Sequence, residues 1–194
     1  MNFYLAIRFS VLLSLFTASY SDAATIAFAP LNGGNLDVYD GHVEESFSVS
    51  VISGDWREGH MFGNPIPNIL GVSASTPFTA SIEVIENTTG LFWFESVDLA
   101  GHGRPTATYT IEGFLGSSMV LSSSGILTSA NSIVTISSPN ASQIMDTLII
   151  EITPNSTSSF NVDNIVVTAV PEPSAVFLSI LGFILLFRFR SRAR

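Results

Sequence analysis

Three histidines, His42, His60 and His102, each follow a glycine. An imidazole can bind a metal or move a proton near neutral pH, but only with partners brought to it. The Gly-His steps place all three on turns, and their wide spacing matches no ligand motif. Carboxylates are more plentiful. Glu44, Glu45, Asp55, Glu58, Glu95 and Asp98 could in principle supply the two acids of a glycosidase, but adjacent strand residues face opposite ways, so spacing specifies no pair. Asp37, Asp40 and Glu44 lie near a Gly-rich turn, and Asp163 comes from the far end of the chain. Such oxygen ligands suit calcium, although the same groups would serve equally as caps for backbone amides. Calcium is the one cofactor the residues suggest; no other is implied.

Aromatic residues offer a different chemistry, since the C–H faces of sugars stack on flat apolar rings. The segment Gly54–Gly71 is dense in Gly and Pro and reads as a long ordered loop. It carries Trp56, His60 and Asn64, an aromatic platform with two hydrogen-bonding neighbours, and is the expected ligand-binding region. Trp93, within Leu91-Phe92-Trp93-Phe94, reads instead as core. Serines abound without a Gly-x-Ser-x-Gly elbow, so a serine hydrolase is not indicated.

The elements that must position these residues are strands. Phe47, Val49 and Val51 alternate with serines; Phe78, Ala80, Ile82 and Val84 alternate with polar partners; Thr106 to Gly113 does the same. Further runs cover Ile133–Ile136, Leu148–Ile152 and Phe160–Val167. Period two with β-branched and aromatic residues marks half-buried strands. Between the runs lie turns such as Asn32-Gly33-Gly34-Asn35 and Asn87-Thr88-Thr89-Gly90. Nine or ten short strands predict an all-β antiparallel sandwich, jelly-roll-like, with a closed barrel as the alternative.

Charge narrows the partners. Residues 24–168 hold two arginines, Arg57 and Arg104, against fourteen acids, and lysine is absent from the chain. A body near −12 repels phosphate backbones, which excludes nucleic acid as a partner. The absence of cysteine removes disulfides, thiolate nucleophiles and zinc–thiolate sites together.

The ends are written differently. Residues 1–23 have a positive start, an apolar stretch from Phe9 to Ala18 and a small-residue exit through Ser21 and Ala23. That is the pattern of a secretory signal peptide cut after Ala23, as secretion machinery requires. Residues 24–168 are then the sandwich, and 169–194 the tail. The tail holds Pro171-Glu172-Pro173, an apolar run from Ala175 to Phe187, and Arg188, Arg190, Arg192 and Arg194. As a transmembrane helix the run spans about 20 Å, short of the roughly 30 Å hydrocarbon core. The arginines hold this end on the cytoplasmic side.

These three elements in this order resemble the PEP-CTERM sorting signal of exported Gram-negative proteins. The resemblance implies recognition of Pro171, Glu172 and Pro173 by an exosortase-type sorting enzyme, retention by the four arginines, and an inner-membrane-anchored intermediate. Cell surface or extracellular matrix, in exopolysaccharide-producing bacteria, is the implied destination. The body is similar, through Glu44-Glu45-Ser46-Phe47, Gly63-Asn64-Pro65, Phe94–Leu99 and Phe160–Ile165, to exported jelly-roll domains that precede such tails. That likeness implies a sandwich and no activity. The expected protein is a non-enzymatic surface or matrix component, with a carbohydrate-binding module of the envelope or exopolysaccharide as the alternative.

Overall fold

Alternation of apolar and polar residues places one set on each side of a pleated ribbon, and strands form wherever the sequence alternates. A computed structural model of the chain describes residues 23–60, 66–72, 78–101, 107–127, 132–154 and 159–171. Among these there are thirteen strands and no helix: β1 (Ala24–Ile26), β2 (Gly41–Glu44), β3 (Phe47–Ser53), β4 (Asp55–Gly59), β5 (Asn68–Val72), β6 (Ala80–Glu86), β7 (Phe92–Gly101), β8 (Ala107–Leu115), β9 (Ser118–Leu127), β10 (Val134–Ser137), β11 (Ile144–Met145), β12 (Thr147–Pro154) and β13 (Phe160–Ala169). The signal segment and the tail beyond Pro171 lie outside the described residues. The compact unit spans Asp22–Val170.

The strands form two antiparallel sheets. One runs β10-β7-β13-β5-β4, with β1 added to β13 and β11 to β7; the other runs β2-β3-β6-β12-β8-β9. This is the expected all-β sandwich. Its inner faces are the alternating apolar sets: Phe47, Val49, Ile82, Val84, Ile111, Leu148, Ile150 and Ile152 from the six-stranded sheet, and Ile69, Phe92, Phe94, Val97, Leu99, Phe160, Val162, Ile165 and Val167 from the other. Each large side chain so buried stabilises the fold by about 2 kcal/mol. Phe47 of one sheet meets Phe92 of the other edge-on at 5.6 Å.

Among its described residues, the stretch expected to be a loop is mainly sheet. Asp55 to Gly59 pairs with Val72 back to Asn68, because Trp56 alternates inward while Arg57 points out. The glycines that suggested a loop are packing sites. A Cβ on Gly71 would lie 2.1 Å from the Phe160 ring, and one on Gly59 would lie 2.3 Å from Asn68 Oδ1. Trp56 packs edge-on against Phe160 at 5.3 Å.

The crossing from β6 to β7 is held by one side chain. Glu86, 4% exposed, accepts at Oε2 from Thr88 N (3.0 Å), Thr89 N, Thr89 Oγ1 (2.9 Å) and Gly90 N (2.8 Å). Burial pushes this carboxyl up, but the N–H groups of Gly90, Thr88 and Thr89 and the Thr89 hydroxyl outweigh it. The result is a value of about 2 against an ordinary 4.5. A folded value below the unfolded one contributes stability above pH 4.5 that is lost as pH falls toward 2. Glu86→Gln is therefore expected to lower unfolding free energy at pH 7 by up to about 3 kcal/mol. The difference between wild type and variant in urea unfolding should shrink between pH 4.5 and 2; a difference constant with pH would contradict this role.

Candidate functional site

Two regions concentrate polar chemistry. The first closes one side of the sandwich. The segment before β2 runs along the free edge of β4: Leu36 N donates to Glu58 O (2.8 Å), Glu58 N to Asp37 O (2.8 Å) and Tyr39 N to Trp56 O (2.9 Å). Val38 stands opposite Arg57. Behind this edge the Tyr39 hydroxyl meets His42 Nδ1 at 2.9 Å, and His42 Nε2 meets Glu44 Oε2 at 3.3 Å. The carboxylate can only accept, so Nε2 carries the proton and Nδ1 accepts from the tyrosine. Phe28 packs on the imidazole, ring centres 5.1 Å apart. Nearby, Glu58 Oε2 accepts from Gly33 N (2.9 Å) and contacts His60 Nε2 (3.1 Å), while His60 N donates to Asn35 Oδ1 (3.0 Å).

Burial, then the charges of Asp40, Glu44 and Glu58, pushes the Tyr39 phenol above its ordinary range. Burial also pushes His42 below its ordinary value, against the hydrogen bond and charge of Glu44 and the charge of Glu58. The arrangement resembles a proton relay, but its end is sealed. Tyr39 is 3% exposed and its hydroxyl is engaged, so the network locks an edge and presents no nucleophile.

The second region is the outward face of the seven-stranded sheet. Phe92 and Phe94 point into the core, so Trp93 between them points out, half-buried. It lies opposite Ile144 of β11 and Thr168 of β13. Thr168 Oγ1 donates to Glu95 Oε1 at 2.7 Å. Further along the same strands Asn164 Nδ2 donates to Asp98 Oδ2 at 2.9 Å, and Thr135 Oγ1 donates to Asp98 Oδ1. Asn164 takes a positive φ of 44° where the β7–β13 register shifts, a conformation asparagine tolerates. An indole with an oriented carboxylate two residues along the same strand, Glu95, can stack on a sugar ring and accept from its hydroxyls, with Asp98 further along the same strand.

Several expected site residues are placed otherwise. Trp56 is 1% exposed, with Nε1 donating to Ser53 O at 2.9 Å; it is core, because β4 turns it inward, and cannot be a platform. His60 follows β4 directly and is bound to Glu58, and Asn64 lies outside the described residues, as does His102. His42 sits in strand β2 rather than on a turn. The proposed calcium ligands are not assembled. Asp37 binds the Gly34 amide, Glu44 binds His42, and Asp40 is exposed. Asp163 is 2% exposed on β13, opposite Asp98, and its Oδ1 accepts from Asn164 N at 2.8 Å. Among the described residues no three His, Asp or Glu gather as a metal-holding group. Of the tail residues, Pro171 is described; Glu172, Pro173, Arg188, Arg190, Arg192 and Arg194 lie outside. Trp93 was missed as a surface residue because four consecutive apolar residues suggest burial on both faces. Nothing in the residue types distinguishes Trp93 from Phe92 and Phe94; only the pleat of β7, which turns both phenylalanines inward, does.

No family model and no curated protein matches this chain. Among solved structures it is similar to a DUF4465 family protein from Bacteroides caccae, with a TM-score of 0.51, 8% identity, and coverage of 77% of this chain and 100% of that one. It is also similar to the family 29 carbohydrate-binding module CBM29_1 from Piromyces equi (TM-score 0.47, 10% identity, 81% of this chain and 95% of that one). A third is the C-terminal family 22 carbohydrate-binding module of Clostridium thermocellum Xyn10B (TM-score 0.45, 13% identity, 78% and 93%). At these identities the likeness is one of fold.

The edge network makes its own test. His42 has a folded value below its ordinary 6.5, so the unfolded state takes up the proton first and stability falls as pH drops below 6.5. Full stability from this group is present above that value. His42→Gln, which keeps a donor toward Glu44, is expected to flatten the slope of unfolding free energy just below pH 6.5. An unchanged slope would show that His42 does not set it.

Proposed function

We propose that this chain is an exported, non-catalytic domain that binds polysaccharide of the envelope or matrix through the outward face of its seven-stranded sheet. The observation that carries the reading is Trp93, outward and half-buried on β7, with Glu95 two residues on oriented by Thr168 and Asp98 further along the strand oriented by Asn164 and Thr135. Hydroxyl-bound carboxylates keep free lone pairs for a ligand, and the fixed indole costs little entropy to engage. In affinity electrophoresis against a panel of bacterial exopolysaccharides and plant glucans, at least one polymer should retard the chain. Trp93→Ala should weaken that retardation at least tenfold, about 1.4 kcal/mol. No retardation by any polymer, or equal retardation of the variant, would refute the reading.

The same proposal includes handling by the tail: recognition of Pro171-Glu172-Pro173 by an exosortase-type enzyme after transient anchoring in the inner membrane, and release toward the cell surface. Two features support it. β1 begins at Ala24, directly after the expected signal cut, and β13 ends at Ala169, before Pro171, so both cuts spare every strand. Mass spectrometry of the mature protein from its native cell should find a chain starting at Ala24 and lacking the arginines. A mature chain reaching Arg194 would rule out tail processing.

A further inference from the structure

An open sheet edge presents unpaired N–H and C=O groups, and proteins blunt such edges with short strands, charges, proline or a covering segment. Among the described residues, five strands besides β9 lie at edges and are short, with two to five residues: β1, β2, β4, β10 and β11. β4 is lined by the run through Leu36 and Tyr39, and β2 ends in Glu44 with Glu45 following. β9 is the exception. It has ten residues, Ser118–Leu127, with no charge and no proline, and it ends the six-stranded sheet. Its one irregularity lies near its start, opposite Gly113 and Phe114, which leaves Leu121 to Leu127 in regular register with Gly113 back to Ala107.

The surroundings share this character. Between Glu112 and Asp146 the sequence contains no charged residue, and this uncharged stretch builds β9, β10 and β11. Met119 and Ile126 on β9 are 52% and 60% exposed, and Ile133 and Val134 at β10 are also exposed. In a chain of net charge −9, the uncharged β9 edge is where two copies approach without setting carboxylate against carboxylate.

We infer that β9 is a homodimerisation edge, pairing antiparallel with β9 of a second copy about a two-fold axis to make one continuous sheet through both molecules. With Ser124 opposite itself, Leu121 faces Leu127 and Ser122 faces Ile126, so inward residues stay inward on both sides. The run Ser122-Ser123-Ser124 puts only small side chains at the axis. The two Glu112 residues, one on each β8, stand three strand spacings apart across the sheet, about 14 Å, and four residues apart along it, which puts them beyond the Debye length at physiological salt. The far edge of the same sheet, β2, is short and acidic, which ends the assembly at two. A strand peptide from an unrelated protein could use the same backbone groups, but acidic self-avoidance everywhere else favours the chain's own copy.

The chain has no cysteine, so single cysteines report unambiguously. Ser122→Cys, Ser123→Cys and Ser124→Cys would be made in the full chain, with Thr25→Cys on exposed β1 as control, and oxidised with copper phenanthroline in isolated envelopes. At least one of the three should form a disulfide-linked homodimer at least tenfold faster than the control, since facing strand residues lie within disulfide reach. Ile126→Glu, a change at an exposed position, should leave the circular dichroism spectrum unchanged. In sedimentation velocity of the detergent-purified full chain it should weaken association at least tenfold. Cross-linking no faster than the control, cross-linking only to a different protein, or a wild type and Ile126→Glu that sediment alike would each overturn the inference.

Discussion

One close approach governs the seven-stranded sheet: the Phe160 ring lying against the bare backbone of Gly71. A methyl group there would overlap the ring at 2.1 Å, so β5 sits against β13 only because position 71 is glycine. Trp56 then meets the same ring edge-on at 5.3 Å, and Phe78 stacks on it at 5.9 Å. The aromatic set ties β4 and β5 to the last strand and buries the tryptophan that the local composition offered to solvent. β13 also pairs with β7, whose Trp93 points outward between the buried Phe92 and Phe94.

The body is strongly acidic, and the fold holds several of its carboxylates by local hydrogen-bond donors, with an ion pair at the surface. Glu86 collects four donors, Glu58 an amide and an imidazole, Asp98 an amide and a hydroxyl, and Arg57 pairs with Asp55 on the surface at 2.8 Å. Such hydrogen bonds satisfy buried or half-buried oxygens with directional partners and little entropy loss. The result is a body most of whose acids are oriented, with the edge strand β9 carrying none.

Strand alternation was legible in the residues: Phe47–Val51, Ala80–Val84, Ala107–Gly113 and Phe160–Val167 all form strands where period two foretells them. The hairpin of β4 and β5 was not, because its glycines serve contacts with Phe160 and Asn68 that no local window contains. The same reason explains the histidines. Gly41-His42 reads as a turn locally, yet Tyr39 and Glu44 hold His42 inside the edge of a strand pair, a pairing of groups that only the wrapped segment before β2 can make.

What the sequence alone determined is the class of structure and its electrostatic sign: alternation forces strands, the excess of acids gives the body a negative charge, and absent cysteines leave the core to carry stability. Tertiary packing decided which aromatic faces solvent, which acids stand together and which edge is left open. Those outcomes depend on contacts between residues tens of positions apart, such as Gly71 with Phe160 and Asp98 with Asn164, whose geometry no local pattern encodes.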